Sequence, residues 1–456
     1  YLPQYQYISY LKKDAVKNMS NAPGRSASIA YFGRLSYSYA DRYSLQANFR
    51  ADAFDSSKLS KQNRWGYFPS VSAGWTISNE SFVKDNVDRS ILSFLKIRGS
   101  WGINGNISVL NGYPYTATIS VNGQWYQYNP STGKGELTYG SGPTELANPD
   151  LKWETSEQID LVLDARMFNS RLTLGFDWYR KMTRDLLISI APVPEIGVKS
   201  TYVNAGNVLN TGVELELGWK DSIGDFTYGV NANMATLHNE VLSLHKAVPR
   251  IENMVSGLNN QVRSAFEAGY PIWYFRGYKY AVKDNDRQFI GKAIPDATYG
   301  ITINLGYKGF DFSVFGTGTI GNDIFSMLYS ADRPKTNSLT HFWRNSWKSP
   351  GSDAKYPESG KVANDWIFWS SSASVFNGSY FKFKQIQLGY TLPRNLTKRV
   401  MINDLRLYVS LDDFFTISSY PGCDPETATT GNSGTMGYDL GTYPTMKKVI
   451  MGVNLT

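Results

Sequence analysis

The sequence predicts an all-β chain, about 14 antiparallel strands of a large transmembrane β-barrel. Three observations predict it. Apolar and polar residues alternate over stretches of about ten positions, the signature of a strand with one lipid face and one water face. Ile301, Ile303, Leu305 and Tyr307 fall on one side of such a stretch, and Thr302, Asn304 and Gly306 on the other. Leu405, Leu407, Val409 and Leu411 repeat the design against Arg406, Tyr408 and Ser410. Aromatics mark the strand ends, and short connections alternate with long ones.

The elements follow in order. Tyr5 to Tyr10 reads as the tail of a strand, and 11–26 as a polar loop. Ile29, Tyr31, Gly33, Leu35 and Tyr37 alternate with polar neighbours, and Ala40-Asp41-Arg42 is a short turn. Strands over 43–53 and from Trp65 to Ile77 flank a loop at 54–64. Leu95, Ile97, Gly99 and Trp101 share a face opposite Lys96, Arg98 and Ser100. Residues 104–150, rich in Gly, Asn, Tyr and Pro, read as one long loop. Strands 152–167 and 171–189 form a hairpin through Phe168-Asn169-Ser170. Strands 201–220 and 225–247 join at Asp221–Gly224. The stretch 248–296 is less regular and has room for an extra hairpin. Strands 298–308 and 310–320 meet at Lys308-Gly309, and a long loop leads to strands 379–392, 404–412 and 447–456. In FKFKQIQLGY the odd Phe381 and Phe383 give way to the even Ile386, Leu388 and Tyr390, so a bulge near Lys384-Gln385 is expected to keep both sets on one face. Outer-membrane barrels put short turns in the periplasm and long loops outside. That rule places the C-terminus in the periplasm.

Composition agrees. Of 456 residues, 31 are Tyr, 23 Phe and 40 Gly, which suits pleated surfaces and turns. Mean hydropathy is slightly negative and no apolar run is long enough for a membrane helix. A barrel strand shows lipid only every second residue, so neither fact argues against a membrane. The single Cys423 excludes a disulfide within the chain, and three histidines with one cysteine make a poor structural zinc set. A net charge of +7 without a Lys/Arg block gives no nucleic-acid footprint.

Several segments go beyond pattern. RWGYFPSVSAGW (64–75), LKIRGSWGINGN (95–106), NPDLKWET (148–155), FWRNSWKSPGSDAKYPE (342–358), GSYFKFKQIQLGYTLP (378–393), YPGCDPE (420–426) and YPTMKKVIMGVNLT (443–456) resemble the C-terminal barrel of SusC-type TonB-dependent transporters. They run through nearly the whole chain in the family's order. The resemblance implies a barrel of about 22 strands, with this chain its C-terminal portion. It further implies an upstream plug and TonB-contacting segment outside residues 1–456, and a SusD-like surface lipoprotein that caps the barrel as a hinged lid. The family usually closes on an aromatic after the stretch matched by Asn454-Leu455-Thr456, so one more terminal residue is expected.

Chemistry-bearing motifs are weighed against bland readings. Gly316, Gly318 and Gly321 spell GxGxxG, but no acid stands at 336–346 to serve a dinucleotide, so a thinned strand end is the better reading. Glu214 and Glu216 share a face with Lys220 and read as a solvated lumen wall rather than a glycosidase pair. Trp125, Tyr126 and Tyr128 in one long loop, and Trp366, Phe368 and Trp369 in another, are the candidate ligand-binding aromatics. Packing of the loops or against a lid is their competing role. Trp343 and Trp347, four apart, are expected in a loop core. Asp424 and Glu426 are weak candidates for a hard cation; no metal, other cofactor or catalytic group is assigned.

The expected function is active import of an oligosaccharide or oligopeptide across a bacterial outer membrane. The implied partners are TonB, the lid lipoprotein and outer-membrane lipid. A lid-free receptor for metal chelates, a soluble secreted carbohydrate-active enzyme and a passive porin are the alternatives.

Overall fold

The computed structural model describes residues 27–54, 57–117, 119–143, 145–190, 195, 197, 201–246, 248–254, 263–280, 286–328, 340–351, 353–358, 361, 366–398, 402–428 and 434–455. Strands dominate, and the largest sheet has 14 of them. In chain order they are Ser28–Tyr39, Tyr43–Phe54, Trp65–Thr76, Leu92–Asn106, Glu154–Met167, Leu172–Arg184, Gly206–Ile223, Phe226–Thr236, Ala297–Tyr307, Phe310–Ile320, Tyr380–Thr391, Leu405–Ser418 and Lys448–Leu455, each antiparallel to the next. The remaining strand, His238–Leu244, prolongs Phe226–Thr236 past Leu237 and pairs with Gly206–Ile223. The expected strand at Tyr5–Tyr10 lies outside the described residues. Among the described residues no helix is long and apolar enough to cross a membrane.

Register shows why the alternation exists. Val230, Ile303, Val314, Ile386, Leu411 and Val449 form one unbroken row across six strands. The neighbouring row on the other face is Gly229, Asn304, Ser313, Gln387 and Ser410. A one-residue slip would exchange the faces, so the two-solvent requirement fixes the register. Phe226, Tyr307, Phe310 and Tyr390 close the apolar face at one end. Tyr299 and Phe381, stacked at 5.8 Å, mark the other. From Tyr307 to Tyr299 a strand rises about 27 Å at ~3.4 Å per residue. Tilted by ~40°, it spans about 21 Å, near the height of an outer-membrane apolar band.

The bulge stands where parity demanded it. Phe315 pairs with Gln385 but Gly316 pairs with Phe383, leaving Lys384 extra. Phe381, Phe383, Ile386, Leu388 and Tyr390 therefore share the apolar face. Gly316 and Gly318 belong to that strand end. A Cβ on Gly318 would sit 2.2 Å from the Tyr380 carbonyl and 2.7 Å from the Tyr299 ring. The glycines thin the strand so that the two rings meet across it, with no phosphate cradle.

Connections segregate. Links 40–42, 77–91, 168–171, 224–225, 308–309 and 392–404 lie at one end; 55–64, 107–153, 185–205, 245–296, 321–379 and 419–447 lie at the other. The tightest short turns use left-handed backbone: Phe168, Asn169 and Ser170 all have φ between 54° and 62°. Several expectations are corrected at the long-link end. The 104–150 loop contains a hairpin, Ile119–Asn129 with Lys134–Pro143. The 171–189 strand breaks at Asp185, whose φ is 56°, and Leu187–Ile190 pairs with Thr201–Asn204 instead. The strand expected to stop at 412 runs to Ser418, because Asp413 enters the left-handed region and the ladder resumes beyond it. Between 250 and 291 lies a four-stranded sheet rather than one hairpin.

Candidate functional site

Two regions carry chemistry: the polar face of the wall, and the body built by the long links. On the wall, Arg98 pairs with Asp164 at 3.0 Å, and Ser100 donates to Asp160 at 2.8 Å. Asp177 stands opposite Glu214, and Gly175 opposite Glu216. Lys96, Arg98, Asp164, Glu216, Asn231 and Asn233 line a concavity of about 700 Å³. This is a polar surface of mixed charge, with hydrogen-bond donors and acceptors side by side. Glu214 and Glu216 are part of that wall. Nearer the short-turn end, Arg406 forks Asp311 at 2.9 and 2.5 Å. A Cβ on Gly389 would meet both groups at about 2.5 Å, so the bridge in this position uses the space a glycine leaves.

The long links fold together. Asp323–Ser326 pairs antiparallel with Val375–Asn377 and parallel with Tyr438–Asp439, joining links 321–379 and 419–447. One core beside it holds Ile324, Phe342, Tyr356, Phe368, Trp369, Phe376 and Tyr420. A second holds Phe275, Ala293, Phe325, Met327 and Tyr438, which brings in link 245–296. A third, around Leu59, Leu110, Leu151 and Trp153, joins 55–64, 107–153 and 185–205. Burial pushes the Tyr356 hydroxyl up to about 12 and the Tyr438 hydroxyl well above its ordinary value. Burial, with Lys355 nearby, lowers His341 and favours its neutral form.

The predicted site residues part company here. Phe368 and Trp369 are 5% and 7% exposed, set edge to face at 5.0 Å with their surfaces against Phe342 and neighbours. In this arrangement they brace the loop body. Trp366 opens the helix Trp366–Trp369. Trp125, Tyr126 and Tyr128 lie on the strand Ile119–Asn129. The side chains of these four lie outside the described residues. Trp343 and Trp347 correct the expectation of a loop core, since they are 58% and 38% exposed. The helix Thr340–Asn345 ends before Trp347, and it is Phe342 that turns into the core. Lys348 covers the Trp343 ring at 4.2 Å.

Asp424 and Glu426 also find another role. Lys382 is 1% exposed on the polar side of the bulge, and its Nζ donates to Asp424 at 2.7 Å, to Glu426 at 2.9 Å and to Thr445. Lys384 reaches Glu426 at 2.6 Å and Asp413 at 3.0 Å. Burial alone would raise the Asp424 carboxyl, but Lys382 and Thr445 outweigh it and hold it below the usual range. Two ammonium groups occupy the lone pairs a cation would need, so the weak metal reading is withdrawn. Lys382 and Thr445 escaped the sequence reading, which named Lys384 only as a bulge position and Asp413 only as an acid upstream of Asp424. The available signal was Lys alternating with Phe at the bulge, since a buried lysine demands partners.

The profile of the family described as "TonB dependent receptor-like, beta-barrel" matches residues 3–414. TonB-dependent receptor P3 of Formosa agariphila is 30% identical over 470 residues, covering 94% of this chain and 45% of that protein. TonB-dependent receptor SusC of Bacteroides thetaiotaomicron is 29% identical over 464 residues, covering 94% and 44%. A solved structure of the RagAB peptide transporter aligns with a TM-score of 0.74 at 23% identity, over 94% of this chain and 47% of that one, a likeness of fold. The chain thus spans about half the length of the relatives it matches.

Proposed function

The chain belongs to the TonB-dependent receptor-like β-barrel family of outer-membrane proteins, and on that premise we propose that it supplies wall and extracellular loops to an importer of a nutrient oligomer. The cargo is an oligosaccharide or an oligopeptide. TonB energises passage, and a SusD-like lipoprotein closes the outer mouth. The wall and loops act by binding and passage, with no covalent step assigned to them.

The observation that carries this reading is the division of labour in one sheet. An unbroken apolar row faces lipid, a polar row backs it, and the five longest links gather at one end. Those links form a packed body with its own cores, the rigid rim that a reversible lid requires. Trp125, Tyr126, Tyr128 and Trp366 remain the proposed ligand-contacting aromatics of the mouth. Phe368 and Trp369 act as support, through the core they complete.

The test is uptake of labelled oligomers by cells that carry or lack the full-length gene, with TonB intact or depleted. Affinity purification of the intact protein, with identification of bound lipoproteins, runs beside it. Gene-dependent and TonB-dependent uptake with a co-purifying lipoprotein is expected. Uptake indifferent to TonB would favour a passive pore and overturn the reading. TonB-dependent uptake of metal chelates with no lipoprotein bound would replace it with a lid-free receptor.

A further inference from the structure

The four-stranded sheet within 250–291 has two unlike faces. Its strands are Arg250–Met254, Arg263–Glu267, Tyr274–Gly277 and Gln288–Gly291. Ile251 stands opposite Phe266, and Ser264 opposite Phe275, on the face that packs into the loop cores with Val208, Val241 and Tyr438. The other face carries Arg250 opposite Glu267, Arg263 opposite Arg276, and Arg276 opposite Phe289.

Glu252 anchors all three arginines. One of its oxygens accepts from Arg250 Nε at 2.9 Å and lies 3.1 Å from Arg276 Nη1; the other lies 3.2 Å from Arg263 Nη1. Glu267 is taken by the Tyr274 hydroxyl at 2.7 Å and lies 3.6 Å from Arg250. Among the described residues the charge is unbalanced, three guanidinium groups against two carboxylates. Each guanidinium offers five N–H donors in a flat fork, and two carboxylates cannot fill them. The Nε of Arg263 is buried and has no hydrogen-bond partner among the described residues. Like charges directly opposite on neighbouring strands are unfavourable, yet Arg263 and Arg276 form such a rung. A network serving stability alone would alternate the signs. Tyr270 stacks on Phe289 at 5.8 Å, and Tyr274 meets both rings at a tilt, at 4.7 and 5.5 Å, so an aromatic cluster lies beside the arginines.

We infer that this face binds an oxyanion, a sulfate, phosphate or carboxylate group, at the N–H groups of Arg263 and Arg276 that Glu252 leaves open. Planar, bidentate recognition of such groups is what a guanidinium does better than an ammonium. On the importer reading, on which this assignment rests, the anion is a substituent of the cargo. The site then makes the transporter favour acidic oligomers.

The test uses the full-length importer purified with its partner. A sulfated oligosaccharide and its unsulfated counterpart of equal length are titrated by calorimetry, and the thermal midpoint is compared in sodium sulfate and sodium chloride at matched ionic strength. The wild type should bind the sulfated oligomer at least tenfold more tightly and gain a higher midpoint in sulfate. In Arg263→Gln/Arg276→Gln both differences should vanish while affinity for the neutral oligomer is unchanged. Arg263→Lys keeps the charge without the fork, so it guards against a folding defect and should fall between. A double variant that retains the preference, or a wild type that shows none, overturns the site. Lipopolysaccharide in nanodiscs forms a second arm: arginine-dependent binding seen only there overturns the cargo assignment. If neither oligomer binds but sulfate still raises the midpoint through these arginines, the importer reading fails and the anion site stands.

Discussion

Lys382 shows how much one side chain decides. It is almost wholly buried and spends its Nζ donors on Asp424, Glu426 and Thr445, tying the 419–447 link to the wall. Removing one partner of a buried pair costs about 3–5 kcal/mol, because the other charge stays buried. Lys382→Met should therefore lower the thermal midpoint and expose 419–447 to protease. The acid dependence has a definite sign. The folded carboxyl of Asp424 lies below its unfolded value. Its stabilisation is present above about pH 4 and is lost as pH falls through the folded value. The stability lost on acidification should shrink in Lys382→Met, as read by denaturant titration at several pH values. Two aromatics give a second residue-scale prediction. Phe368→Ala should cost about 3–5 kcal/mol through the cavity it leaves in the loop core. Trp343→Ala, at a position 58% exposed, should barely move the midpoint. Both outcomes are checked by thermal unfolding in detergent.

At the scale of the strand, position along the chain matters less than the face. Ile303 lies in the centre of the apolar row between Val230 and Val314, and Asn304 is its neighbour on the polar side. An arginine at the lipid midplane costs about 2–4 kcal/mol, whereas the lumen wall accepts it. Ile303→Arg should impair folding and the heat-dependent gel shift of the full-length barrel, and Asn304→Arg should leave both near wild type. Strands were the legible elements because period-two patterning is local. The bulge at Lys384 was legible for the same reason, as a parity break. The hairpin at Ile119–Asn129 was not, because Gly, Pro and Asn around it mark turns equally well in a loop or between strands. The end of the Leu405–Ser418 strand was missed because Asp412-Asp413 reads as a loop until Lys384 is seen to pair with Asp413.

For the whole molecule the consequence is mechanical. The long links join through shared cores and a three-stranded sheet. Limited proteolysis of the full-length protein should spare 340–346 and 366–377 while the core around Phe342 is intact. It should reach both in Phe368→Ala. Equal cleavage in the two proteins would mean that the links move independently.

The sequence by itself determined the solvent on each face, the order of the strands and the end at which long links gather. Alternation and turn residues are short-range facts, and the quoted segments placed them in a family of outer-membrane barrels. Only the tertiary structure decided which side chains meet. It buried Phe368 and Trp369, exposed Trp343, gave Asp424 and Glu426 to two lysines and set Arg263 against Arg276. The reason is distance along the chain. Asp424 lies far from Lys382 in sequence, and no local pattern can report a contact made only when distant links pack together.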